Sequence, residues 1–231
     1  MSTTMSPVER AGFSAAIRGR YNPDFSTPFA LGDDDRAIMT MRGLTTAEQD
    51  SAATIWSNAR GAVESGSALS YLKGLDASSL QVLQHAACLA DPISTASLSE
   101  EGAENLLVKP TEGIDRNHDG LLEVGVARTI SFPPPDASPS LRSAWTSTVD
   151  GMDSQDALML VANLAFPAAS VDGTTTKAAD FSSKDFDWSS WMASVIEGAK
   201  ISAPYNTDDT NRRTMARLER FLDALKDNGL A

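Results

Sequence analysis

Cysteine is nearly absent: Cys88 stands alone, which excludes an intramolecular disulfide framework. Histidine is almost as scarce. His85 and His118 lie far apart in the chain, so no His-rich zinc site can be built from them. Basic residues number 19 against 31 acids, a formal charge of -12. That balance excludes the broad positive field with which proteins hold a phosphate backbone, and no nucleic acid is expected as a partner. Long apolar runs are missing too. The stretch 157–166 is about ten residues broken by Asn163, against the roughly 20 that a spanning helix needs, so no transmembrane segment is expected. Residues 1–21, interrupted by Glu9, Arg10, Arg18 and Arg20, lack the apolar core of a signal peptide, and the cytoplasm is the default compartment. No nucleophile, base and orienting acid stand at a recognisable catalytic spacing.

What is present is an ordinary globular composition, 231 residues with 42% hydrophobic and 22% charged, enough to bury a sizeable core. Apolar residues recur mostly at helical spacing, which predicts a mainly α, bundle-like domain with a short β and loop insertion around 113–135. A weak first helix is expected over 8–19. Asp33, Asp34 and Asp35 read as the acidic first turn of a second. Thr45 and Glu48 have capping-box spacing, and Ala52, Trp56, Ala59 and Val63 follow on one face. The segment 78–90 is apolar nearly all round and reads as the core helix, with Cys88 a buried thiol and His85 a packed or surface residue without an orienting acid. Ser97 and Glu100 suggest another capping box for a helix that Pro110 stops.

Alternation at Leu122, Val124, Val126, Ile130 and Phe132 predicts a strand, and the prolines at 133–135 a stiff connector. Ser138 and Pro139 start a helix whose inner face is Leu141, Trp145 and Val149. The helix through Ala157, Val161 and Leu164 is expected to fold back on it as an antiparallel pair. After a loop over 168–180, Trp188, Trp191 or Met192, Val195 and Ala199 line one face of a helix. The last helix, about 209–227, carries Met215, Leu218, Phe221, Leu222 and Leu225 inward and its arginines, Arg217 among them, largely outward. One helical domain over 1–231 is expected, with the Pro-rich connector as a possible division into 1–132 and 138–231.

One segment makes a chemical statement. Asp115-Arg116-Asn117-His118-Asp119-Gly120-Leu121-Leu122-Glu123 places side-chain oxygens on every second residue and a glycine at the sixth position, where a chain must turn sharply around a hard cation. Over this dozen residues it resembles the EF-hand family of calcium loops. The resemblance implies Asp115, Asn117 and Asp119 as ligands, with the Leu121 carbonyl and, directly or through water, Glu123. The departures are Val126 where the family has its bidentate glutamate, and Pro110 and Gly113 where an incoming helix would run. A weak, calcium-stapled turn is therefore expected, with Glu112, Asp136 or water completing the shell, and an affinity on the order of 10⁻⁴–10⁻³ M. Such a site would fill outside the cytosol, which sets it against the cytoplasmic default.

The function expected is that of a calcium-binding, non-sensor helical protein acting as an interaction or assembly module with a protein partner, within a larger complex or alone. Two alternatives are a metal-dependent enzyme using Asp33, Asp34, Asp35 and Glu48, and a calcium-responsive regulator.

Overall fold

The start signals place the helices. A computed structural model describes residues 5–119, 121–168, 170–171, 176–177 and 180–231. Ser6 caps α1 (Pro7–Ile17), Gly32 precedes α2 (Asp33–Met41), and Thr45 with Glu48 forms the capping box of α3 (Thr46–Glu64). Next come α4 (Ala68–Lys73), α5 (Ala77–Ala86) and α6 (Glu100–Glu104), then the antiparallel hairpin β1 (Leu121–Val124) and β2 (Ala127–Ile130). The C-terminal half holds α7 (Pro139–Val149), α8 (Ser154–Ala168), the short pair β3 (Ser170–Val171) and β4 (Thr176–Lys177), α9 (Trp188–Ser202) and α10 (Asp208–Asp227). The architecture is mainly α with a short β insertion inside 113–135, and no helix among the described residues is long and apolar enough to cross a membrane.

Several local expectations are corrected. The segment 78–90 ends as a helix at Ala86, because Cys88 takes a positive φ of 54° and is exposed, not buried. The helix stopped by Pro110 is only the five residues of α6, capped by Ser99 and not by Ser97. Beyond it the chain tightens, Leu106 N–H reaching back to Ala103 and Leu107 N–H to Glu104. The single strand is a hairpin that reverses at Gly125, φ 63°, leaving Val126 at the tip with 66% of its surface exposed. Alternation alone cannot reveal that reversal, because both arms of a hairpin obey it. The antiparallel α7 and α8 pair is not the main packing: each lies chiefly on α10. The loop expected over 168–180 falls largely outside the described residues.

Two apolar clusters result. The first is built from α2 to α6 and the hairpin, around Met39, Trp56, Leu72, Leu83, Leu107 and Val124. Trp56 fills its centre and donates its indole N–H to the Leu106 carbonyl at 3.0 Å. The second joins Phe132 to α7 through α10 around Trp145, Trp188, Met192 and Phe221. Its rings meet edge-on, Phe132 and Trp145 at 4.9 Å and 81°, the arrangement that aromatic quadrupoles favour. Gly12 lets α1 lie directly on α2, since a Cβ there would come within 2.4 Å of Met41 Cβ.

Residues 17–22 run along the seam as a strap. Tyr21 bonds through its N–H to the Thr111 carbonyl and through its carbonyl to Gly113 N–H, both at 2.9 Å, on the N-terminal side. On the other side Asn22 N–H reaches Pro135, Trp145 donates its indole N–H to the Ile17 carbonyl at 2.7 Å, and the Arg142 guanidinium donates to the Arg20 carbonyl while stacking 4.1 Å from the Tyr21 ring.

Candidate metal centre

The loop at 115–123 hangs from α6. That short helix presents two buried acids, Glu101 and Glu104, on the side facing the loop. Glu101 accepts the Arg116 N–H at 3.1 Å with one oxygen and the Glu123 N–H at 2.9 Å with the other, so one carboxylate fastens both ends of the loop. Glu104, fully buried, is gripped by the Arg116 guanidinium. α6 can sit this close to the hairpin because Gly102 has no Cβ: its carbonyl receives Gly125 N–H at 3.0 Å, and a Cβ on Gly102 would collide with the Gly125 oxygen. Burial, with the like charges of Asp115 and Glu123, holds the Glu101 carboxyl above its usual range.

Inside the loop the oxygens of Asp115 and Asn117 both accept the Asp119 N–H, at 3.3 and 2.9 Å, and Asp119 accepts the Leu121 N–H at 2.9 Å. Three of the expected ligands, Asp115, Asn117 and Asp119, are therefore gathered on one turn, while the sixth position, Gly120, lies outside the described residues. Leu122 packs inward as the pattern implies, 1% exposed. Leu121 stands in β1, paired across the hairpin with Ile130.

Glu123 is drawn the other way. Its carboxylate accepts from Ser99 Oγ and from Arg128, at 2.7 Å to the Arg128 Nε, and those contacts lower its pKa. The other side chains expected to complete a shell are also engaged elsewhere or at the rim. Glu112 pairs with Lys109 at 3.2 Å, and Asp136 lies 3.4 Å from His118 Nδ1. Among the described residues no three His, Cys, Asp or Glu side chains are arranged to hold a metal ion. A cation held here would have to draw on the Asn117 amide oxygen, main-chain carbonyls and water beside Asp115 and Asp119. That set is all oxygen, which suits calcium and not a soft metal. On its far side the loop looks across the seam. A cavity of about 10 Å³ lies between Asp115, His118, Pro134, Asp136 and Phe181, room for about one water-sized guest.

The acids proposed for a catalytic metal do not converge. Asp34 pairs with Arg18 at 3.1 Å. Asp35 is buried, taking the Gly32 N–H and the Thr111 hydroxyl. Glu48 accepts from Thr45 and from His85 Nδ1 at 3.1 Å, so His85 does have an orienting acid, one 37 residues away in sequence. The Thr45 hydrogen bonds, with His85 adding to them, bring the Glu48 pKa down to about 2. Glu101 and Glu104 were not singled out from the sequence. Their signal was two acids three residues apart in a short helical segment just ahead of an acidic loop. Comparison of the chain with family models, with characterised proteins and with solved structures finds no match.

Proposed function

We propose that residues 115–123 bind calcium as a structural staple at the seam of the two halves, in a non-enzymatic helical protein that works through a protein partner. The observation that carries the metal reading is the gathering of Asp115, Asn117 and Asp119 oxygens on one turn whose ends are fixed by Glu101. The exposed Val126 in place of a bidentate acid, and the absence of a flanking helix on either side of the loop among the described residues, favour a staple over a sensor. Partner binding draws support from the apolar side chains left on the C-terminal surface: Leu158, Met159, Ile201 and Tyr205 are all exposed, Tyr205 at 89%.

Calorimetric titration of the intact chain and of a variant carrying Asp115→Ala and Asp119→Ala tests the metal. One site in the intact chain and none in the variant is expected. With affinity on the order of 10⁻⁴–10⁻³ M, calcium at about 10 mM should add about 1–3 kcal/mol to stability, by mass action. Equal behaviour of the two chains removes the metal. A large calcium-dependent gain in exposed apolar surface would replace the staple with a switch.

A further inference from the structure

Arg20 and Arg42 line one small cavity that has no acid among its described walls. Arg20, in the strap, lies over Gly113, where a Cβ would come within 3.0 Å of the arginine Cδ. Arg42 caps the end of α2. The cavity, about 10 Å³, is otherwise walled largely by apolar side chains, among them the buried Trp56, Leu83, Leu106 and Val124. That is room for about one water-sized guest. Both arginines are half-buried, and their side-chain hydrogen bonds go only to carbonyls: Arg20 to Glu112 at 3.5 Å, the limit of a bond, and Arg42 to Ala86 at the end of α5. The Glu112 carboxylate turns instead to Lys109, which also lines the cavity but is answered by Asp35 as well. The Asn105 amide is spent on Glu101 and Ile114. Burial lowers the Arg20 pKa to about 10 and the Arg42 charge adds to the shift, so the two cations oppose one another. Burial lowers the Arg42 pKa too, against an opposing pull from Cys88. Neither guanidinium contributes to the sealed, partnerless atoms of the described residues, so their free nitrogens are open to a guest.

We infer that the cavity between Arg20 and Arg42 holds a single monatomic anion, in the simplest case chloride. Charges drawn into apolar surroundings are held by a partner of opposite sign, and here two like charges share a space that offers none. One ion answers both guanidiniums and ties the strap to the end of α2. Arg42 also has the carbonyl end of α5 to offset its charge, so the ion matters most to Arg20. A tetrahedral oxyanion such as sulfate or phosphate exceeds the room. The inference does not depend on the calcium loop, since no residue of 115–123 lines this cavity.

The test is the line width of the chloride NMR signal in the presence of the full chain, titrated with sodium bromide and, separately, with sodium sulfate at constant ionic strength. Melting of the chain in sodium chloride and in sodium gluconate is the second readout. Excess line width that bromide removes and sulfate does not is expected, with a higher melting temperature in chloride than in gluconate. Arg20→Met and Arg42→Met should each lose both effects. No excess line width on the unaltered chain, or equal melting temperatures in the two salts, overturns the proposal. Displacement by sulfate as readily as by bromide overturns it too, because the site would then be an open one for oxyanions. A chloride effect that survives both substitutions places the ion elsewhere and overturns it equally. The bromide and sulfate comparison uses only the unaltered chain, so it decides even where a variant fails to fold.

Discussion

In the N-terminal half the buried polar side chains Asp35, Gln49, Glu101, Glu104 and Asn105 all make hydrogen bonds within that half. In the C-terminal half the core is aromatic, Arg217 is buried against Asp156, and among the described residues its Nε, Asn163 Oδ1 and Trp191 Nε1 have no hydrogen-bond partner. Exposed apolar side chains occur in both halves, Val8, Tyr21 and Val126 in the first and Leu158, Met159, Ile201 and Tyr205 in the second, the last four around α8, α9 and the turn after it. The first half uses its buried acids to fasten a loop, while its strap still takes hydrogen bonds from Trp145 and Arg142 of the second. The second is built on ring packing and buries fewer polar side chains among the described residues.

Breaking the aromatic side should cost most. Trp145 is fully buried and holds both Phe132 and the strap at Ile17, so Trp145→Ala is expected to lose about 3–5 kcal/mol in urea unfolding. On the polar side, Glu101→Ala strands the N–H groups of Arg116 and Glu123. Each should cost about 1–3 kcal/mol, and any calcium response should fall with them.

A third change reads through pH. The Glu48 pKa is lowered from 4.5 to about 2, so its contribution is present above the unfolded value and disappears as pH falls through the folded one. Melting curves of Glu48→Gln and the unaltered chain should therefore differ at neutral pH and merge as pH falls from 4.5 towards 2. The smallest effect sharpens the contrast most. Asn163→Leu removes an acceptor that has no partner among the described residues, and its melting temperature should equal or slightly exceed that of the unaltered chain. A drop of several degrees in that variant would mean that the second half is as internally satisfied as the first.

Much of the helical frame was legible because periodicity and caps agreed: Ala52, Trp56, Ala59 and Val63 are all buried, and Ser138 caps α7 as its position before Pro139 required. The loop's acidic side-chain pattern was legible as well. What could not be read was how the loop is held, since the spacing of Glu101 and Glu104 ahead of it does not say which groups of the loop they meet. Arg217 was misplaced outward for the same reason. Its charge suits a surface until Asp156, 61 residues earlier, supplies the partner that lets it be buried. The reversal at Gly125 was hidden by a rule that both arms of the hairpin obey.

The strap at 17–22 also bears on how the chain is made. Its partners lie 90 to 128 residues further along, from Thr111 to Trp145. At a synthesis rate of about 5–20 residues per second, the Ile17 carbonyl waits roughly 6 to 25 seconds before Trp145 exists to meet it. Residues 17–22 are thus made well before the partners that seat them, and these long loop closures set a slow step for a protein whose helices are otherwise local and fast.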